Sequence, residues 1–254
     1  MTTVDRQNGE ETDFGFQRVP VEEKARRVGE VFSSVAGRYD LMNDLMSAGL
    51  HRFWKSQALR LIDARPGQQV LDLAAGTGDL SQGMARQVGR EGRVIVSDIN
   101  QAMLETGRDR LIDEGYTGNL DYVIANAEQL PFLPRQFDRI SIGFGLRNVT
   151  WIPRALRAMR EALRPGGRLV ILEFSSLYLT ALQPLYDLYS FRMLPLMGKL
   201  VANDADSYRY LAESIRLHPD QETLKTMMEE AGFEDVDYIN LSGGLVALHH
   251  GHVY

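Results

Sequence analysis

The sequence of 254 residues contains no cysteine. Intramolecular disulfides and cysteine nucleophiles are therefore excluded, and the composition suits a reducing compartment such as the cytoplasm. A surplus of positive charge is also missing, because 28 Lys and Arg residues are outnumbered by 34 Asp and Glu residues, for a net charge of −6. Without basic residues in excess to neutralise phosphates, we expect no broad nucleic-acid binding.

Long apolar runs are missing as well. The N-terminal segment Met1–Glu11 is polar and acidic, which predicts neither a secretory signal nor a membrane anchor there. The segment Leu177–Val201 is rich in Leu, Tyr and Met, but polar residues and prolines interrupt it too often for a membrane-spanning helix. The interrupting residues are Pro184, Asp187, Arg192, Pro195 and Lys199. We interpret this segment as an amphipathic helical insertion.

Short apolar runs alternate with amphipathic segments through the rest of the sequence. Strands are predicted at Val70–Ala74, Arg93–Ser97, Leu120–Ile124, Phe137–Ile142, Arg168–Leu172, Val236–Leu241 and Leu245–Val253. This alternation is typical of a Rossmann-like α/β fold with a doubly wound, mostly parallel, seven-stranded sheet. We expect one domain over residues 1–254, with a polar tail (1–20), N-terminal helices (21–60) and a helical insertion or lid after the fifth strand (177–215).

A glycine-rich loop, Ala74–Asp79, follows the first strand of this sheet and opens a helix. Gly76 and Gly78 allow the backbone to turn tightly and to approach a ligand closely. In a doubly wound sheet the next strand should end in an acid about 20 residues further on, placed to accept hydrogen bonds from ribose hydroxyls. Asp98 meets that condition. Strand, loop and acid together predict a nucleoside-containing cofactor.

Two residues help to decide between a dinucleotide and a sulfonium cofactor. The dinucleotide fingerprint places Gly or Ala three residues after the second loop glycine, where this chain has Ser81. Asp79 at the helix N-terminus would repel a pyrophosphate, whereas S-adenosylmethionine carries none. A methyltransferase is therefore favoured over a dinucleotide-dependent oxidoreductase. Asn126 and Ala127 follow the third strand, where adenine would pass, and Asn126 could bind the purine or simply form a turn.

Together these motifs resemble the ubiquinone/menaquinone-biosynthesis C-methyltransferase family, from about Phe14 to the C-terminus. The matching blocks are Val31–Ala36, Tyr39–Asp44, Leu71–Asp79, Ala125–Glu128, Phe144–Val149 and Asn203–Tyr210. The resemblance implies that S-adenosylmethionine is contacted by Thr77, Asp98, Asn126 and Ala127, with Gly76, Gly78, Ile99 and Gly143 as neighbouring candidates. Two residues depart from the family pattern, because Ala75 stands where Gly is often found and Gly143 where Ser is common. Ala75 should be tolerated if its backbone angles are ordinary, whereas Gly143 cannot supply a side-chain hydrogen bond.

The resemblance also implies methylation of a ring carbon of a prenylated quinol, namely 2-methoxy-6-polyprenyl-1,4-benzoquinol, demethylmenaquinol or both. The ring carbon becomes nucleophilic when a neighbouring hydroxyl, with a pKa of about 10, loses its proton. Asp79 is a candidate acceptor of that proton, Arg147 would stabilise the oxyanion, and Asn148 would orient the hydroxyl or a water. Structural roles remain open for all three: a helix cap or a ligand of the cofactor's amino group for Asp79, a surface ion pair for Arg147, and a helix cap for Asn148.

The remaining expectations concern other activities, metals and partners. An O- or N-methyltransferase of another small aromatic is the alternative activity. His249, His250 and His252 invite a metal interpretation, but no acidic cluster lies nearby in sequence and methyl transfer from a sulfonium needs no metal, so none is expected. Tyr39 and Asp40 could line the pocket or only pack locally.

The prenyl tail of the implied substrate would reside in the membrane. The apolar face of Leu177–Val201 could shield that tail as a lid or channel, or it could be an ordinary core helix. We expect a cytoplasmic enzyme. Peripheral contact with the inner face of the membrane, a homodimer and a complex with other quinone-biosynthesis proteins are each compatible with it.

Overall fold

The computed structural model describes residues 10–35, 43–44, 47, 49–177 and 205–254. The strands are β1 (Glu11–Phe14), β2 (Gln17–Pro20), β3 (Gln69–Leu73), β4 (Arg93–Asp98), β5 (Leu120–Ile124), β6 (Phe137–Gly143), β7 (Leu163–Phe174), β8 (Glu234–Leu241) and β9 (Val246–Val253). The helices are α1 (Val21–Val35), α2 (Leu50–Ile62), α3 (Asp79–Val88), α4 (Gln101–Asp113), α5 (Ile152–Ala162), α6 (Ala205–Leu217) and α7 (Gln221–Glu230). None of the helices within these ranges combines the length and the hydropathy needed to cross a bilayer. The predictions for Tyr39, Asp40 and nearly all of Leu177–Val201 lie outside the described residues.

Strands β3 to β9 form one sheet in the order β5-β4-β3-β6-β7-β9-β8. Neighbouring strands from β5 to β7 are parallel, and β9 is antiparallel to both β7 and β8. The predicted doubly wound, mostly parallel sheet of seven strands is therefore confirmed. β7 starts at Leu163, earlier than predicted, and the register with β6 shifts between Phe137 and Arg139 where this irregular start is accommodated.

Successive side chains of each central strand enter opposite layers of the core. In β3, Val70 belongs to the cluster shared with helices α2, α3 and α4, whereas Leu71 belongs to the cluster shared with α5 and α7. Both residues are completely buried. Strands buried on both faces read as continuous apolar runs, which explains why the sequence predicted them well.

The N-terminal segment contains a hairpin where the sequence predicted only a polar tail. Strands β1 and β2 pair antiparallel, and Phe14 of β1 stacks on Tyr210 of α6 with ring centroids 4.3 Å apart. In the turn, the Phe16 backbone N–H donates to Glu213 Oε2 at 3.0 Å. Each strand has four residues, mostly polar, so too few apolar positions were available to reveal the alternation.

Candidate active site

A cavity of about 560 Å³ lies at the carboxyl ends of β3 to β6, with residues of α1 on its wall. This edge of a doubly wound sheet is where such folds bind their ligands, and the volume suits a small-molecule site. The predicted site residues on its wall are Gly76, Asp98, Ile99, Asn126, Ala127 and Asn148. Thr77, Asp79 and Gly143 instead line a small adjoining cavity. Gly78 and Arg147 are not on the wall of either cavity.

The glycine loop turns as the sequence predicted. Gly78 precedes α3 with a φ of 85°, and a Cβ there would lie 2.7 Å from Leu111 Cδ1 of α4. Ala75 is not among the residues with positive φ, so its methyl group causes no backbone strain, whereas Ala74 has a φ of 51°. Left-handed backbone at a residue with a Cβ costs about 1–2 kcal/mol and is typical of ligand sites.

Asp98 is held in place by backbone donors at the end of β4. Its Oδ2 accepts the Gly76 N–H at 2.9 Å and its Oδ1 accepts the Asn100 N–H at 2.8 Å. Burial raises the pKa of Asp98, and these backbone hydrogen bonds oppose the rise. A carboxylate has about four acceptor positions, so capacity remains for a ribose hydroxyl. The cavity therefore fits a nucleoside at this end.

Asn126 combines the two interpretations that the sequence left open. Its Oδ1 accepts the Glu128 N–H at 2.9 Å, which forms a turn. The residue also lines the cavity. Because the turn uses the side-chain oxygen, the amide N–H groups are left to donate to a purine acceptor.

Ser81, whose presence was evidence against a dinucleotide cofactor, has a structural role because it hydrogen-bonds a buried carboxylate. Its hydroxyl donates to Asp72 Oδ2 at 2.5 Å, and Ser141 donates to the other oxygen at 2.8 Å. Burial raises the pKa of Asp72 to about 6, although these hydrogen bonds oppose the rise. A glycine at position 81 would leave a buried carboxylate with one side-chain donor fewer.

Asp79 is engaged by two cations. Lys55 Nζ lies 2.6 Å from its Oδ2, and Arg110 Nη1 lies 2.7 Å from its Oδ1. Burial raises the pKa of Asp79, but Lys55 and Arg110 outweigh that effect and hold it at about 2. A group of this acidity is a weak base for a phenol proton of pKa about 10. The contacts of both carboxylate oxygens with cations therefore disfavour Asp79 as the acceptor of the quinol proton.

Arg147 forms a buried ion pair rather than a surface one. Its Nη1 lies 2.8 Å from Glu173 Oε1, with side chains 3% and 2% exposed. The guanidinium also lies over the Phe174 ring, 5.5 Å from its centroid, and donates to the Phe144 carbonyl. The positive charge is thus fixed and balanced within the protein, behind the cavity wall.

Asn148 does not cap the helix that follows it, because α5 has Trp151 at its N-cap position without a side-chain cap. Its Oδ1 accepts the Tyr210 hydroxyl at 3.0 Å, and the residue lines the cavity. Burial raises the pKa of Tyr210, so the hydroxyl remains a donor at neutral pH. Tyr210 thereby fixes the orientation of the Asn148 amide, which leaves the Asn148 N–H groups to face a ligand.

Several residues near the site were missed or left without a role. Glu173, at the carboxyl end of β7, could have been found from its position, because polar residues at strand ends of this edge indicate a site. Tyr210 lay inside a matched block but had no assigned partner. Lys55 lies in an ordinary amphipathic helix, so nothing in the sequence marked it.

The histidines form no metal site within the described part of the chain, where no group of three or more suitable ligands is found. His250 and His252 share a face, with ring centroids 6.0 Å apart. His249 lies on the other side, and its Nε2 is 2.9 Å from the Gln221 carbonyl oxygen. His218 is buried, neither of its ring nitrogens has a hydrogen-bond partner among the described residues, and burial lowers its pKa.

The doubly wound fold, the glycine loop and the Asp98 cavity define a methyltransferase that uses S-adenosylmethionine. A solved S-adenosylmethionine-dependent methyltransferase from Aquifex aeolicus has the same fold, with a TM-score of 0.57 at 14% identity over 79% of this chain and 89% of that one. The model of the ubiE/COQ5 methyltransferase family matches residues 20–253, and the chain belongs to that family.

Curated relatives agree over nearly the full length. A protein of Vibrio cholerae named ubiquinone/menaquinone biosynthesis C-methyltransferase UbiE is 60% identical over 247 residues, which cover 97% of this chain and 95% of that one. A protein of Cellvibrio japonicus with the same name is 61% identical over 240 residues, 94% of this chain and 96% of that one.

Proposed function

We propose that this enzyme methylates a ring carbon of 2-methoxy-6-polyprenyl-1,4-benzoquinol, of demethylmenaquinol or of both. The names of the relatives support the substrate class, since each is a ubiquinone/menaquinone biosynthesis C-methyltransferase. One structural observation carries the proposal: Asn148 lies on the wall of the same cavity as Asp98. A group that can orient a ring hydroxyl therefore borders the cofactor site.

S-adenosylmethionine would supply an electrophilic methyl group, and the protein's part is to hold the quinol and assist loss of its hydroxyl proton. Asp98 and Asn126 would hold the ribose and the adenine. Asn148 would hydrogen-bond the quinol hydroxyl or a water that receives its proton. Arg147 would stabilise the developing oxyanion through its fixed charge, because a preorganised cation needs no rearrangement during the reaction.

The position of Arg147 sets the form of that assistance. Its partner Glu173 and the carbonyl of Phe144 anchor the guanidinium at a fixed place. Because Glu173 balances the positive charge of Arg147, the guanidinium is not an unpaired buried charge before the quinol ionises. Asn148, the next residue, lines the cavity, so the two consecutive residues would act on one hydroxyl.

The proposal is tested by supplying labelled S-adenosylmethionine with each reduced quinol in turn. We expect label on a ring carbon, located by carbon NMR of the product. A methyl group on oxygen, or turnover of small phenols but of neither quinol, would overturn the proposal.

We further propose that the enzyme is cytoplasmic and meets the membrane peripherally to reach its prenylated substrate. Phe16 in the hairpin turn and Phe53 in the first turn of α2 are 60% and 50% exposed. Exposed aromatic side chains insert readily at a membrane interface. Replacing both by Ser should reduce sedimentation with phospholipid vesicles while activity on a short-tailed quinol is retained. Equal sedimentation of variant and parent would contradict membrane contact through these residues.

A further inference from the structure

A small cavity adjoins the main one at the carboxyl ends of β3 and β6. Its volume is about 20 Å³, which has room for the polar tip of a ligand rather than its body. Ala74 and Phe144 line both cavities. Both have left-handed backbone angles, with φ of 51° and 56°. The two spaces are therefore neighbours, and both are lined by two residues with strained backbone of the kind found at ligand sites.

The order of the strands fixes which end of the cofactor points toward the small cavity. Asn126 follows β5 and Asp98 ends β4, and these strands are neighbours at one side of the sheet. The small cavity lies further along the same edge, beside β3 and β6. With adenine near Asn126 and ribose at Asp98, the amino-acid end of S-adenosylmethionine must extend toward β3 and β6.

Two side chains of opposite charge line the small cavity. Lys55 and Asp79 both line the small cavity, and they contact each other at 2.6 Å with side chains 15% and 26% exposed. The amino-acid end of the cofactor is a zwitterion, with a carboxylate and an ammonium group on adjacent atoms. A partly buried Lys–Asp pair is complementary to such a zwitterion, because each charge can face its opposite without leaving an unpaired ion.

We propose that Lys55 and Asp79 bind the amino-acid end of S-adenosylmethionine, Lys55 holding the carboxylate and Asp79 the ammonium group. Of the roles that the sequence left open for Asp79, this assignment selects ligand of the cofactor's amino group over proton acceptor. The low pKa of Asp79, held near 2 by its cations against the effect of burial, keeps it ionised for that role.

Arg110 supplies a matched control for this assignment. It contacts the other oxygen of the same carboxylate at 2.7 Å, from α4, but it does not line the small cavity. Lys55 and Arg110 are therefore similar as ion-pair partners of Asp79. They differ in access to the cofactor, so substitution of each by Met separates a binding role from a structural one.

The test is calorimetric and uses two ligands, S-adenosylhomocysteine and 5′-methylthioadenosine, which shares the nucleoside but lacks the amino-acid end. We expect Lys55→Met to weaken S-adenosylhomocysteine binding at least tenfold, or about 1.4 kcal/mol, and to leave 5′-methylthioadenosine binding unchanged. Asp79→Asn should show the same selectivity. Arg110→Met should change neither affinity by more than about twofold, because Arg110 does not line the small cavity.

Equal weakening of both ligands by Lys55→Met, or the same selective loss in Arg110→Met, would overturn the assignment. If the Met variant unfolds, the unmodified enzyme provides the measurement: an analogue of S-adenosylhomocysteine without its carboxylate should bind at least tenfold more weakly, and equal affinity would overturn the role of Lys55. The inference rests on the family's cofactor and not on the quinol. Calorimetry without quinol thus tests it independently of the proposed substrate.

Discussion

Replacing Asp79 by Asn should destabilise the enzyme in a pH-dependent way. The pKa of Asp79 is lowered from 3.8 to about 2, because attraction by Lys55 and Arg110 exceeds the opposing effect of burial. One pKa unit corresponds to about 1.4 kcal/mol, so the ionised carboxylate contributes about 2 kcal/mol to the free energy of unfolding at neutral pH. The side chain is 26% exposed, so solvent screening can only reduce this value.

The sign follows from the lower pKa in the folded state. The stabilisation is complete above the unfolded pKa of 3.8 and is lost as the pH falls through the folded pKa of about 2. Urea unfolding at pH 7 should therefore separate the variant from the parent by about 2 kcal/mol, and near pH 3 the gap should fall to about half. Asp109→Asn is the control, because its ion pair with Arg108 is exposed and should contribute less than about 1 kcal/mol.

Two results would refute this reasoning. Asp79→Asn could match the parent at pH 7, or the gap could stay constant between pH 7 and pH 3. Activity adds a separate criterion for the proton acceptor. With saturating cofactor, the variant should retain turnover, since both carboxylate oxygens of Asp79 contact cations. A loss of several orders of magnitude in kcat, with cofactor still bound, would restore the base hypothesis.

Three further substitutions test the site. Asp98→Asn should lower affinity for S-adenosylhomocysteine by about 10- to 150-fold, the value of a charge-assisted hydrogen bond, and unchanged affinity by calorimetry would remove Asp98 from the site. Glu173→Gln should lower the free energy of unfolding by about 3–5 kcal/mol, because it leaves a buried charge unpaired, and a loss no larger than that of Asp109→Asn would contradict this. Tyr210→Phe should lower kcat about 3- to 10-fold without changing cofactor affinity, since the Asn148 amide loses its donor; equal kcat values would contradict the positioning role.

The sheet and one end of the site could be predicted from local patterns. Buried parallel strands read as apolar runs, and the distance from Gly78 to Asp98 follows from the length of a strand–helix–strand unit. The hairpin at Glu11–Pro20 could not be predicted, because its strands are short and its apolar residues dock on a distant helix. Phe14 stacks on Tyr210, which no local window contains.

The ion-pair partners of the site residues could likewise not be predicted from local sequence patterns. Asp79 contacts Lys55, 24 residues before it, and Arg110, 31 residues after it. Arg147 finds Glu173 at a separation of 26 residues. The sequence identified Asp79 and Arg147 but not the charged partners that they contact, and pairing decides whether a carboxylate acts as a base or as a fixed charge.

Several charged groups along the carboxyl edge of the sheet are engaged by partners within the protein. Asp98 accepts two backbone N–H groups, Asp79 contacts two cations, and Glu173 contacts Arg147. Asn148 and the Tyr210 hydroxyl are uncharged at pH 7. This division suits a substrate that is itself neutral and apolar until it ionises. An unpaired charge beside such a ring would bind water in preference to the quinol. The Arg147–Glu173 pair has no net charge, so it does not disfavour binding of the neutral ring in this way. If the quinol hydroxyl lies beside Asn148, as proposed, the fixed guanidinium of the neighbouring Arg147 would attract the negative charge formed on loss of the proton and would favour the ionised, nucleophilic form.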